Sequence, residues 1–143
     1  MKFLVTNLRI IMLKRKEVNI MEEINYTQID EKCIPMVKFF NTVELFTKFS
    51  CQGHDDRFGN QFWIMFSIEV TDLDILIFID KYSNKYDHSP FAGKFVKWMR
   101  KIDNKIVSNW MYEIAYGSCM INQQFAENDY NKMVKGDFKN EKV

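Results

Sequence analysis

Two runs of alternating side chains, separated by only two residues, constrain this chain more than anything else in it. From Gly93 to Ile102, Phe95, Lys97 and Met99 alternate with Val96, Trp98 and Arg100. From Lys105 to Tyr116, Ile106, Ser108, Trp110, Tyr112 and Ile114 alternate with Val107, Asn109, Met111 and Glu113. A period of two sends successive side chains to opposite faces of a strand. Asp103-Asn104 between the runs suits the left-handed backbone of a tight turn. The segment is therefore read as an antiparallel hairpin, and a hairpin alone is marginal in water.

The rest of the chain supplies what that hairpin needs. A helix is expected from about Cys33 to Asn41, with Pro35 in its first turn and Met36, Val37 and Phe40 facing the core. Val43–Ser50 reads as a strand, with Val43, Leu45, Thr47 and Phe49 on one face. Gln61–Val70 reads as another, with Phe62, Ile64, Phe66 and Ile68 on one face; the loop 51–60 joins the two strands into a first hairpin. Thr71 reads as an N-cap, with Asp72 and Asp74 favourably placed against the dipole of a helix reaching Tyr82. Its expected buried stripe is Leu73, Leu76, Ile77 and Phe78 or Ile79. A last helix is expected over 119–135, with Met120, Phe125 and Met133 as contacts and a frayed, charged end after it. The expectation is an α+β fold of order αββαββα, an antiparallel sheet of about four strands (two hairpins) with helices packed mainly on one face. The other sheet face is left for a second layer or for a partner.

With 143 residues the chain has the length of one domain, and 47% hydrophobic content suffices for one core. A net charge of +1 gives no strong footprint for nucleic acid or membrane. Cys33, Cys51 and Cys119 are odd in number and widely spaced, which favours a reducing compartment over a disulfide framework. No apolar run of membrane-spanning length occurs, so no membrane is expected, and a cytoplasmic location in a bacterial host is.

Residues 15–21, Arg-Lys-Glu-Val-Asn-Ile-Met, can be encoded by a purine-rich ribosome-binding sequence followed by an ATG. Met21 is therefore a candidate natural start, with 1–20 as upstream or loosely attached sequence and 21–143 as the domain; an ordinary N-terminal strand is the alternative. Residues 1–20 hold five basic residues and one acidic residue; the remainder has 15 basic and 18 acidic, a net of −3.

One loop concentrates chemistry: Ser50-Cys51-Gln52-Gly53-His54-Asp55-Asp56-Arg57. Gly53 lets the chain turn sharply between thiol and imidazole. Cys51 and His54 suit half of a zinc site, the other ligands coming from Cys33, His88, Cys119 or a carboxylate. Alternatively Cys51 is a nucleophile, His54 its base and Asp56 the orienting group. In the preferred reading Cys51 is a small buried hydrophobe and His54 and Asp55 organise the loop, so no cofactor is expected. Elsewhere, Trp98, Arg100 and Trp110 lie among the lysines of the second hairpin, a combination used for single-stranded nucleic acid but also found on solvated hairpins.

The string Phe49-Ser50-Cys51-Gln52-Gly53-His54, followed by Phe62-Trp63-Ile64-Met65-Phe66, resembles small uncharacterised proteins of phages and mobile elements in Gram-positive bacteria. Ser50-Cys51-Gln52-Gly53-His54 is also faintly similar to a segment of the wybutosine-synthesis methyltransferases, but His54 replaces their Arg and no activity is carried over. The first resemblance implies an accessory protein. It would bind and block a host protein without catalysis, as in counter-defence of the anti-CRISPR kind, with Asp55, Arg57, Trp98, Arg100 and Trp110 as contacts. An enzyme or a ligand- or metal-binding domain at Cys51 and His54 is the first alternative. Nucleic-acid binding by the second hairpin is the other.

Overall fold

The structure is a computed structural model that describes residues 25–55, 59–82 and 90–142, with side chains described as far as residue 136. The expectation for residues 1–20 lies outside these. Two 3-10 turns, Tyr26–Gln28 and Glu31–Cys33, lead into helix α1 (Ile34–Thr42). Strands β1 (Thr47–Cys51) and β2 (Phe62–Phe66) follow, then α2 (Asp72–Tyr82), β3 (Lys94–Ile102), β4 (Lys105–Ile114) and α3 (Cys119–Lys142). The four strands form one antiparallel sheet in the order β1-β2-β4-β3. The expected α+β order is the observed one.

The second hairpin forms as its alternation dictates. Asp103 and Asn104 take φ of 50° and 63°, the left-handed pair of a tight turn. Phe62, Ile64, Phe66, Phe95, Tyr112 and Ile114 share one face by register. All three helices contribute to that side: Phe40 of α1 lies edge-on to Phe66 at 5.0 Å, Phe78 of α2 meets Phe95 at 5.7 Å, and Asp129 of α3 bonds Tyr112. No described helix packs on the opposite face.

The first strand starts later than its alternation suggests. Leu45 N–H donates to the Phe40 carbonyl and Glu44 N–H to that of Asn41, a Schellman ending for α1. Glu44 occupies its left-handed position at φ 67°. Val43–Leu45 thus belong to the helix end, and β1 begins at Thr47. A bulge between Thr47 and Phe49 then turns Phe49 outward, 58% exposed. β2 stops at Phe66, where Ser67 N–H turns back to the Phe46 carbonyl, and this leaves Ile68 in solvent.

Helix α2 starts as expected, in a reciprocal cap: Asp74 N–H donates to Thr71 Oγ1 and Thr71 N–H to Asp74 Oδ2. Of its expected stripe, Phe78 is buried and Ile79 packs against the core, but the rest differs. Ile75, Phe78 and Tyr82 face the core, while Leu73, Leu76 and Ile77 are more than half exposed. Phe39, wedged edge-on against both Phe78 and Tyr82, fixes this orientation. Helix α3 runs beyond residue 135. Gly136 does not end it: a Cβ there would stand 3.0 Å from the Tyr82 carbonyl, so the glycine lets α2 and α3 approach closely. Met133 is buried and Phe125 packs against the core, whereas Met120 is 74% exposed.

Candidate functional site

The sheet has two unlike ends. Register places Cys51, Trp63, Glu113 and Lys94 in one row across it. At that end lies the polar loop. The hairpin tip at Asp103-Asn104 is roughly 30 Å away along β3, at ~3.3 Å per residue.

At the loop end, Gly53 has φ 91°, and a Cβ on it would stand 2.6 Å from the Asn60 carbonyl oxygen. This bend carries the His54 ring back towards Cys51. The carboxylate that joins them is Asp30, which sequence reasoning missed. One ligand atom each of Asp30, Cys51 and His54 lie within 4.8 Å of one another, and His54 Nε2 is 3.9 Å from Asp30 Oδ2. Asp30 is oriented by the Gln52 N–H, which donates to Oδ2 at 2.9 Å, while Lys32 N–H donates to Gln52 Oε1. The two segments are therefore joined by two bonds through Gln52.

The other thiols behave differently. Cys33 is fully buried, and burial pushes its thiol up to about 12, so it stays protonated and inert. A hydrogen bond to Asp55, then desolvation, raises the Cys119 thiol, and Cys119 N–H also donates to Asp55 at 3.4 Å. Asp56, Arg57 and His88 lie outside the described residues, so the acid–base chain proposed through Asp56 has no described geometry. A cleft of about 420 Å³ adjoins the cluster between Glu31–Met36 and α3, lined by Lys32, Gln123 and Tyr130 among others, but not by Cys51 or His54.

At the far end, β2 pairs with β4 only over Met111–Ile114. The rest of the hairpin, residues 97–110, continues as a two-stranded arm. Where β2 stops, Asn109 Nδ2 donates to the Phe66 carbonyl at 2.8 Å and ties the arm's root to the sheet. On one face the Arg100 guanidinium lies over Trp98, 4.6 Å from the ring centroid. Trp110 is on the other face. Its indole N–H donates to Asp72 at 2.8 Å, and Lys97 pairs with the same oxygen at 2.9 Å. Those contacts hold the Asp72 carboxyl below its usual range, the Lys97 bond most strongly and the Trp110 bond next. Trp98 and Arg100 thus come together, whereas Trp110 is engaged internally. Exposed apolar side chains cover the arm: Trp98, Met99, Ile102 and Ile106. Leu73, next to Asp72, begins the exposed row Leu73, Leu76 and Ile77 of α2 beside it.

A sheet backed by helices on one face, with ligand-type side chains at one end and an apolar, cationic arm at the other, defines a small α+β domain. Among the described residues no helix is long and apolar enough to cross a membrane. Residues 17–140 match the family described as YoqC prophage protein, and the chain belongs to that family. Its prophage origin agrees with the resemblance to phage proteins. No curated protein and no solved structure matches the chain.

Proposed function

We propose that this prophage protein acts in the host cytoplasm by binding and blocking a host protein, without catalysis of its own. The observation that supports this is the arm. Residues 97–110 extend past β2 and expose Trp98 and Ile102 on one face and Met99 and Ile106 on the other. Such side chains contribute little to folding and are the kind an interface core buries. Trp and Arg are among the residues most enriched at interface hot spots. A protein partner is preferred to nucleic acid because Trp98, Met99, Ile102 and Ile106 are exposed alongside the arm's lysines Lys101 and Lys105. Two of its cations are already engaged, Lys97 by Asp72 and Arg100 by Trp98. A component of host defence, such as a nuclease, suits the prophage origin.

The test is affinity capture from a bacterial host lysate by the wild type and by Trp98→Ala and Ile106→Glu. A nuclease-resistant partner at near-stoichiometric yield, lost in both variants and kept by His54→Ala, is expected. Capture abolished by nuclease treatment would replace this reading with nucleic-acid binding. Capture unaffected by both arm variants would end it.

A further inference from the structure

We infer that Asp30, Cys51 and His54 form a binding site for a single divalent transition metal of the zinc type, with one coordination position left for water. Three different donors meet here: a carboxylate oxygen, a thiol sulfur and an imidazole nitrogen, all within 4.8 Å. A tetrahedral zinc ion needs its ligands about 3.3–3.8 Å apart, so small side-chain rotations complete the triangle. Sulfur with imidazole selects zinc-like ions over calcium or magnesium, which take oxygen ligands.

The cluster is also built rather than incidental. Asp30 and Cys51 come from separate segments, fastened together by two bonds through Gln52. The Gln52 N–H donates to Asp30 Oδ2, the oxygen that faces His54 Nε2, and so holds it in place, as outer-sphere donors do at metal centres. Gly53 is required by both its φ and the Asn60 carbonyl, and it is what brings His54 back to Cys51. Side-chain exposure of 45% for His54 and 35% for Asp30 leaves an entry path. Binding converts the Cys51 thiol to a metal-bound thiolate, and its proton leaves to solvent. Affinity therefore rises with pH. The site is independent of the arm, so either assignment stands or falls alone.

The test is a cobalt titration of the full chain with all thiols reduced by a non-thiol reductant. A saturable single equivalent with a thiolate-to-cobalt charge-transfer band and tetrahedral d–d bands, displaced by zinc, is expected. Cys51→Ser should abolish the charge-transfer band. His54→Ala and Asp30→Ala should weaken binding at least as much as loss of an outer-sphere partner, about 10–100-fold. Cys119→Ser should leave the spectrum unchanged. His54 is exposed, so its variant tests the site even if Cys51→Ser fails to fold. No thiolate band in the wild type, or unchanged affinity in His54→Ala, overturns the assignment.

Discussion

Tyr112 donates its hydroxyl to Asp129 at 2.6 Å and so joins the C-terminal part of β4 to the middle of α3 inside the core. The same carboxylate accepts the N–H groups of Ala92 and Gly93, each at 2.8 Å. A buried carboxylate with three donors is satisfied, and removing it orphans all three. Asp129→Ala should cost at least about 3 kcal/mol, and Tyr112→Phe about 1–3 kcal/mol. Urea denaturation checks both. A loss below about 1 kcal/mol in Asp129→Ala would mean that water replaces the carboxylate.

Alkaline pH should unfold the protein by way of Cys33 and then Tyr112. The Cys33 thiol is held at about 12, and desolvation, then the Asp129 charge, raises Tyr112 well above its ordinary value. Both groups are raised, so folding favours their protonated forms. Their stabilisation is complete below the unfolded values, about 8.5 for the thiol and about 10 for the phenol. It is lost as pH climbs from there towards the folded values, by about 1.4 kcal/mol per pH unit per group. Tyr112→Phe should flatten the decline above pH ~10. In the folded protein a thiol reagent should label Cys51 well before Cys33; equal rates would contradict the burial of Cys33.

The two sides of α2 should respond in opposite ways. Ile75→Ala opens a cavity in the core and should cost about 2–5 kcal/mol. Leu76→Lys replaces a side chain 63% exposed and should change stability by no more than about 0.5 kcal/mol. Comparable losses from both would require a different rotation of the helix.

Gly53→Ala should destabilise by about 1–3 kcal/mol through backbone strain, with more from the Asn60 contact. It should also displace His54 from Cys51. Thermal unfolding gives the first effect, and the cobalt spectrum of the folded fraction reads the second.

The parts of the fold with one dominant period were legible. The β3–β4 hairpin has strict alternation and a turn pair that accepts positive φ. The α1 face follows from Met36, Val37 and Phe40, and the α2 cap from Thr71 with Asp74. Helix α2 itself is apolar around most of its circumference, so periodicity offers several stripes. Only the fit of Phe78 and Tyr82 against Phe39 chooses among them. Among the α3 residues whose side chains are described, the buried positions are Asn122, Ala126, Asp129, Met133 and Gly136, a regular helical spacing hidden by polarity and size. Hydrophobicity cannot find a core face that rests on hydrogen bonds. Cys51 and His54 were legible as neighbours across one glycine. Asp30 was not, because only the chain's path past β1 brings it there.

The bonds that finish the 52–60 loop set an order of events during synthesis. Gln123 Nε2 donates to the Gln52 carbonyl, Asn122 Nδ2 to that of Asn60, and Asn60 Nδ2 to that of Gly117. Cys119 N–H reaches Asp55 in the same neighbourhood. Every one of these partners is translated 57 to 71 residues after its contact in the loop. A nascent chain that has made β1 and β2 must therefore carry an unfinished loop until the start of α3 has left the ribosome. The carbonyls of Gln52 and Asn60 and the Asp55 carboxylate gain these partners among the last parts of the domain.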